Sequence, residues 1–173
     1  MTIYLAEAVK LKSIIRKRLM ELIEERERVA FSTIEKGQPL PEQVRSLHQV
    51  EQEIERVRKD ARTLDRLVYR ANIDTTLTFE NETLPIVEAI EYAIQLRAAA
   101  EEAKTFATAE PESLVYGYGD QLPIYRVARF DPETYRKRAL LLERRAHVLS
   151  NAINATNYQV TVPFDDRFYL GDA

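Results

Sequence analysis

The stretch from position 47 to 71, LHQVEQEIERVRKDARTLDRLVYRA, decides the fold class. Leu47, Val50, Ile54, Val57, Ala61, Leu64, Val68 and Ala71 recur in it at alternating three- and four-residue steps. The residues between them are mostly Glu, Arg, Asp, Lys and Gln. An apolar seam of this period lies along one side of an α-helix and is buried only against other helices. The fold is therefore helical, and the seam speaks of architecture and assembly rather than of chemistry.

Working towards the amino terminus, Leu5, Ala8, Ile15, Leu19, Leu22 and Val29 form a second seam, broken by Lys12 and Arg26. This predicts a first helix from Tyr4 to Glu35. Gly37-Gln38-Pro39-Leu40-Pro41 then reads as a stop and a restart, with glycine after one helix and proline in the first turn of the next. So short a connection makes the two helices an antiparallel hairpin.

Towards the carboxyl terminus, the second helix is expected to end near Asn72, and Thr75 to Phe79 favour an extended segment. Thr83-Leu84-Pro85 is expected to open a third helix, with Ile86, Ala89, Ile90, Ala93, Leu96, Ala100 and Ala103 on one alanine-rich face and Glu110-Pro111 at its end. From Ser113 to Phe130 the pattern changes. Leu114-Val115-Tyr116 and Ile124-Tyr125-Arg126-Val127 flank Gly117-Tyr118-Gly119-Asp120, which predicts a β-hairpin. Asp131-Pro132-Glu133 caps a fourth helix, whose seam is Tyr135, Ala139, Leu142, Ala146, Leu149 and Ile153.

The expected fold is thus mainly α: a four-helix antiparallel, coiled-coil-like bundle of two helical hairpins, with a small β-hairpin between helices three and four. One domain spans 1–173, comprising a long helical hairpin over 1–72 and, over 73–173, a helix, the β-hairpin, a helix and an extended tail. A faint internal echo joins the halves. Ala71-Asn72 is followed by Thr75 and Thr76, and Ile153-Asn154 by Thr156 and Thr161. Chance similarity of two helix ends explains it equally well.

Composition excludes several classes. Among 173 residues, 45% are apolar and 31% charged, so the chain is not disordered as a whole. A net charge of −3 with mixed signs lacks the basic footprint of a nucleic-acid binder. The absence of cysteine removes disulfides, thiolate metal sites and cysteine nucleophiles. Glu7 and Lys10 interrupt the apolar start, so no signal peptide is read, and no apolar run approaches the ~20 residues needed to cross a bilayer. A cytoplasmic protein with no stable membrane insertion is expected.

No motif points to catalysis. A carboxylate-bridged metal centre in a helical bundle needs Glu-x-x-His pairs, since positions three apart share a face. Arg45 and Arg144 stand where those glutamates would precede His48 and His147. No metal and no cofactor are expected. Glu21, Glu24 and Glu25, with Glu101 and Glu102, are either solvated faces pairing along their helices or the carboxylates of a magnesium site for nucleotide hydrolysis. Asn72, Asn151, Asn154 and Asn157 fit helix ends, where asparagine bonds to nearby peptide groups. Asn72, Asn154 and Asn157 form the candidate polar group there.

Tyrosine supplies nine of the fifteen aromatic residues (nine Tyr, six Phe) and is concentrated late in the chain. A tyrosine buries a large ring while keeping a polar tip, which suits subunit contacts. Tyr116, Tyr118, Tyr125 and Tyr169 are the candidate interface residues, together with Lys12 and Arg26, the two charges set into a helical seam. Packing of the β-hairpin on the helices is the alternative for the tyrosines.

Leu5-Ala6-Glu7-Ala8, Asn72, Thr83-Leu84 with Glu88-Ala89, and Ile153-Asn154 with Asn157-Tyr158 together resemble the septicolysin-like family of uncharacterised bacterial proteins. The resemblance spans most of the chain. It departs at Ile73-Asp74-Thr75, where the family pattern is Thr-Asn, and at Tyr158, where tryptophan is usual. The segment from Ser113 to Phe130 and the carboxyl tail are also longer. The resemblance implies a helical-hairpin protein that forms homo-oligomers, and it implies no activity. The expected function is that of a non-enzymatic assembly or scaffold protein with itself as partner. The alternatives are an all-α magnesium-dependent nucleotide hydrolase and a membrane-active soluble oligomer.

Overall fold

The computed structural model describes residues 1–116 and 122–171, Tyr116 by its backbone alone. The elements run β1 (Ile3–Tyr4), α1 (Leu5–Ala30), α2 (Leu47–Asp74), β2 (Thr76–Phe79), β3 (Glu82–Pro85), α3 (Ile86–Ala107), β4 (Glu112–Tyr116), β5 (Ile124–Val127), α4 (Pro132–Asn157), β6 (Thr161–Val162) and α5 (Arg167–Leu170). The protein is mainly helical, with small antiparallel ladders β1:β6, β2:β3 and β4:β5. Five of the eight seam residues, Val50, Ile54, Val57, Leu64 and Val68, are buried, while Ala61 and Ala71 are half-buried and Leu47, at the first position of the helix, is exposed. Among the described residues no polar or charged one is fully buried, so the core is apolar throughout.

Local chemistry sets the helix limits, and it corrects two expectations. First, α1 stops at Ala30 rather than Glu35. Past Val29 the apolar period runs out, and Ser32-Thr33-Ile34 brings hydroxyl and β-branched residues that hold a helix poorly. Second, α2 does not restart at Pro41. Pro39 and Pro41 bias the residues before them to extended backbone, and the helix waits for a capping box. The Ser46 hydroxyl accepts from Gln49 N–H at 3.3 Å, and Gln49 Oε1 accepts from Ser46 N–H at 2.8 Å. Residues 31–46 therefore form a longer connection than expected. Replacing Ser46 by alanine should cost about 1 kcal/mol, read in urea denaturation.

Thr83-Leu84-Pro85 is a further correction. It is the strand β3, paired with β2 in the register Leu77↔Leu84 and Thr76↔Pro85, and the helix begins only at Ile86. Leu77, Phe79 and Leu84 are buried by this ladder, which a helical start at Thr83 would not achieve. The turn is Glu80-Asn81, and Glu80 takes the left-handed conformation with φ 54°.

The chain divides into two compact units, residues 1–75 with 156–173 and residues 76–155. In the first, α1 and α2 are antiparallel, tied by Lys12 to Asp65 at 2.7 Å, Arg18 to Glu53 at 2.7 Å and Arg45 to Glu25 at 3.1 Å. In the second, α3 and α4 are antiparallel, tied by Arg97 to Ser150 and by Lys104 to Glu143. Phe106, Phe130 and Tyr135 form a ring cluster at the end of that pair, with centroids 5.0–5.2 Å apart.

Both units follow one plan. In the first, β1 leads into α1 and pairs with β6 at Ile3↔Val162 and Tyr4↔Thr161. In the second, β3 leads into α3 and pairs with β2 at the matching positions, Leu84↔Leu77 and Pro85↔Thr76. Leu5-Ala6-Glu7-Ala8 has its counterpart in Ile86-Val87-Glu88-Ala89, and the first and last residues of both runs are buried. Ser46 before α2 matches Asp131 before α4, and Leu64, Val68 and Asn72 match Leu149, Ile153 and Asn157. Thr76-Leu77-Thr78-Phe79 matches Thr161-Val162-Pro163-Phe164, with the second and fourth residues of each buried. The internal echo is therefore a structural repeat, and its asparagine register is Asn72 with Asn157 rather than with Asn154.

Candidate interaction surface

The β4:β5 hairpin differs from the other two ladders, whose strands carry buried residues. Its register runs Glu112↔Val127, Ser113↔Arg126 and Leu114↔Tyr125, with an irregularity between Leu114 and Tyr116. Leu114, Ile124, Tyr125 and Val127 are 56%, 61%, 48% and 59% exposed. A two-stranded ladder is marginally stable in water unless one face packs on something. Here no described side chain of either strand is buried. The expected turn Gly117-Tyr118-Gly119-Asp120 lies outside the described residues, Tyr118 included, and so does the Tyr116 side chain. Tyr125 stands on the exposed ladder, facing Leu114 across it.

A second apolar surface lies on α3. Ile86, Ala89, Ala93, Leu96, Ala100 and Ala103 are buried, while Val87, Ile90 and Ile94 are exposed at three- and four-residue steps. A helix apolar on both sides is normally covered on both sides.

In the first unit the carboxyl tail closes over α2. The Tyr169 hydroxyl donates to Asp60 Oδ2 at 2.7 Å, and the Arg56 guanidinium stands 4.1 Å from the Phe168 ring centroid. Burial and the Asp60 carboxylate both push the Tyr169 phenol above its usual range, so it stays a neutral donor. Sequence reading singled out Tyr169 but not its partner, since Asp60 is remote in the chain and looks like any helix-surface acid.

The remaining candidates are placed as follows. Lys12 bonds Asp65 and stands 5.2 Å from the Tyr69 ring centroid, so the charge in the seam is matched within the unit. Arg26 lies 3.4 Å from its neighbour Glu27. Asn72 is half-buried near the end of α2, and Asn154 is exposed on α4. Asn157 closes α4 with its Oδ1 buried and without a hydrogen-bond partner among the described residues.

Glu25 is held by Arg45, Glu21 by Lys17 and Arg18, and Glu101 by Lys104. Among the described residues no group of three or more His, Asp and Glu is placed to hold a metal ion. No helix among them is long and apolar enough to cross a membrane.

The best-shielded partner among the described ion pairs, Glu53, centres a network that sequence reading missed: it accepts from both Arg18 and Arg45. Burial pushes Glu53 up, but the two guanidinium groups outweigh it and hold the carboxyl below the ordinary glutamate value. A depressed folded-state pKa stabilises above the unfolded value of about 4.3 and is lost as pH falls through the folded value. Glu53→Gln should cost about 1–3 kcal/mol at neutral pH. It should also flatten the loss of stability below about pH 4.3, read from denaturation midpoints across a pH series.

A shallow groove of 320 Å³ crosses the second unit between Thr78-Phe79-Glu80 and Leu141, Arg144, Arg145, Val148 and Ala152 of α4. Leu141 and Val148 are 58% and 50% exposed. Within the groove Arg145 clamps Glu80 through two bonds of 2.7 and 2.9 Å and donates to the Tyr92 hydroxyl at 2.7 Å.

No protein-family model and no curated protein matches the chain. A solved structure described as a functionally unknown conserved protein from Corynebacterium diphtheriae is similar over 94% of this chain and 99% of its own, with a TM-score of 0.61 and 22% identity. At that identity the likeness shows the fold alone.

Proposed function

We propose that this is a non-enzymatic assembly protein that builds a homo-oligomer, with the β4:β5 hairpin as its principal subunit contact. The observation that carries the reading is the hairpin itself, an apolar ladder of which no described side chain is buried in its own chain. Ladders of this kind are held by a partner surface, because exposed apolar strands with open edges otherwise aggregate. The uncovered Val87, Ile90 and Ile94 on α3 support the same reading. So does the resemblance to the septicolysin-like proteins, which implies homo-oligomers.

In this reading the protein works in the cytoplasm with itself as partner and without nucleic acid. The test on α3 is direct. Ile90→Glu should lower the assembled mass in light scattering while leaving the helical circular dichroism unchanged. An unaltered mass would remove α3 from the interface.

A further inference from the structure

We infer that the groove on α4 is the seat for the β4:β5 hairpin of a second copy, so that two chains exchange arms. The inference rests on the proposed assembly and names the surface that receives the arm. Its starting point is the internal repeat. The groove of the second unit, beside Phe79 and Glu80, corresponds to the face of the first unit beside Phe164 and Asp165. Leu141 and Arg145 stand where the first unit has Arg56 and Asp60. In the first unit an aromatic segment that follows its strand in the chain, Phe168-Tyr169, lies against that face and engages Arg56 and Asp60. In the second unit the chain after Phe79-Glu80 turns instead into β3, and among the described residues Leu141 and Val148 of α4 stay exposed.

One plan thus gives two seats, of which the described residues engage one with an aromatic segment. The apolar and aromatic segment left uncovered is the hairpin of the same unit. One side of its ladder presents Leu114, Tyr125 and Val127, with Glu112 paired across from Val127 at the base. The groove offers the complement: Leu141 and Val148 as apolar walls and Arg144, exposed, at its edge. Seating the arm places the apolar side chains between those walls and Glu112 against Arg144, the pairing of charges that fixes register in an interface. Reciprocal exchange satisfies both arms and both grooves at once and closes a two-fold dimer.

The chain has no cysteine, so introduced thiols report contacts cleanly. Leu114→Cys and Val148→Cys would be made in separate chains, mixed and oxidised, with Val9→Cys and Val148→Cys as the control pair. Mass by light scattering would be followed in parallel for Glu112→Arg, Arg144→Glu and the double variant, with circular dichroism to check folding.

The expected result is a mixed disulfide for the first pair and none for the control. Each charge reversal should weaken assembly at least about tenfold, and the double reversal should restore it. An oligomer that persists with no cross-link and no response to the reversals would overturn the groove while leaving the assembly reading standing. A wild-type chain that is monomeric at every concentration would overturn both.

Discussion

Truncating Leu64 to alanine is expected to lower stability by roughly 2–5 kcal/mol, the range for removing a fully buried leucine. Leu64 has no exposed surface and sits in the middle of the α2 seam, where the α1–α2 pair is tied on both sides by ion pairs. The cost has two parts: lost transfer of the side chain from water, and a cavity that packed helices close only in part. Its counterpart in the repeat, Leu149 on α4, is buried just as completely and should cost a similar amount. Urea denaturation followed by circular dichroism reads both. A loss below about 0.5 kcal/mol at either position, the size of an ordinary surface substitution, would contradict the seam as a core.

The other large effect concerns assembly rather than folding. Replacing Leu114 by aspartate together with Tyr125 by serine should raise the dissociation constant of the oligomer roughly 100-fold or more. Central interface anchors cost about 2 kcal/mol or more each when truncated. Neither side chain is buried within its own chain, so thermal unfolding of the dilute, dissociated protein should be unchanged. An oligomer as tight as wild type would take the hairpin out of the interface. A fall in stability of the isolated chain would show instead that the hairpin packs on its own helices.

The two predictions differ in how far the sequence discloses their basis. The α2 seam is legible because a sustained heptad series has one physical solution, and Val50, Ile54, Val57, Leu64 and Val68 are buried where the period puts them. The cap at Asp131 was equally open to reading, and its carboxylate accepts from the N–H groups of Glu133 and Thr134 at 3.1 and 3.2 Å. The end of α1 was harder to read, since Glu35 and Lys36 favour helix and only the lost apolar period argues against it. Thr83-Leu84-Pro85 misleads because threonine and proline mark helix starts as well as strand ends. Its pairing with Leu77 is tertiary information.

The interaction surface was legible in part. An excess of tyrosine and alternation near Gly117 to Asp120 singled out the hairpin, but nothing local said that none of its described side chains would be buried. The match between Phe79 with α4 and Phe164 with α2 was beyond reach. It needs the register Asn72 to Asn157, and the chain offers the more conspicuous Asn154 in its place. The clasp of Tyr169 on Asp60 joins residues too far apart in the chain for any periodicity to relate them.

The most direct test of the central claim is light scattering of the wild-type protein on a size-exclusion column over a hundredfold range of concentration. The chain has a mass of 20.1 kDa. Assembly through the hairpin predicts a discrete peak at twice that mass that survives dilution into the low micromolar range. A single peak at 20.1 kDa across the whole series would contradict it and leave the exposed ladder without a role.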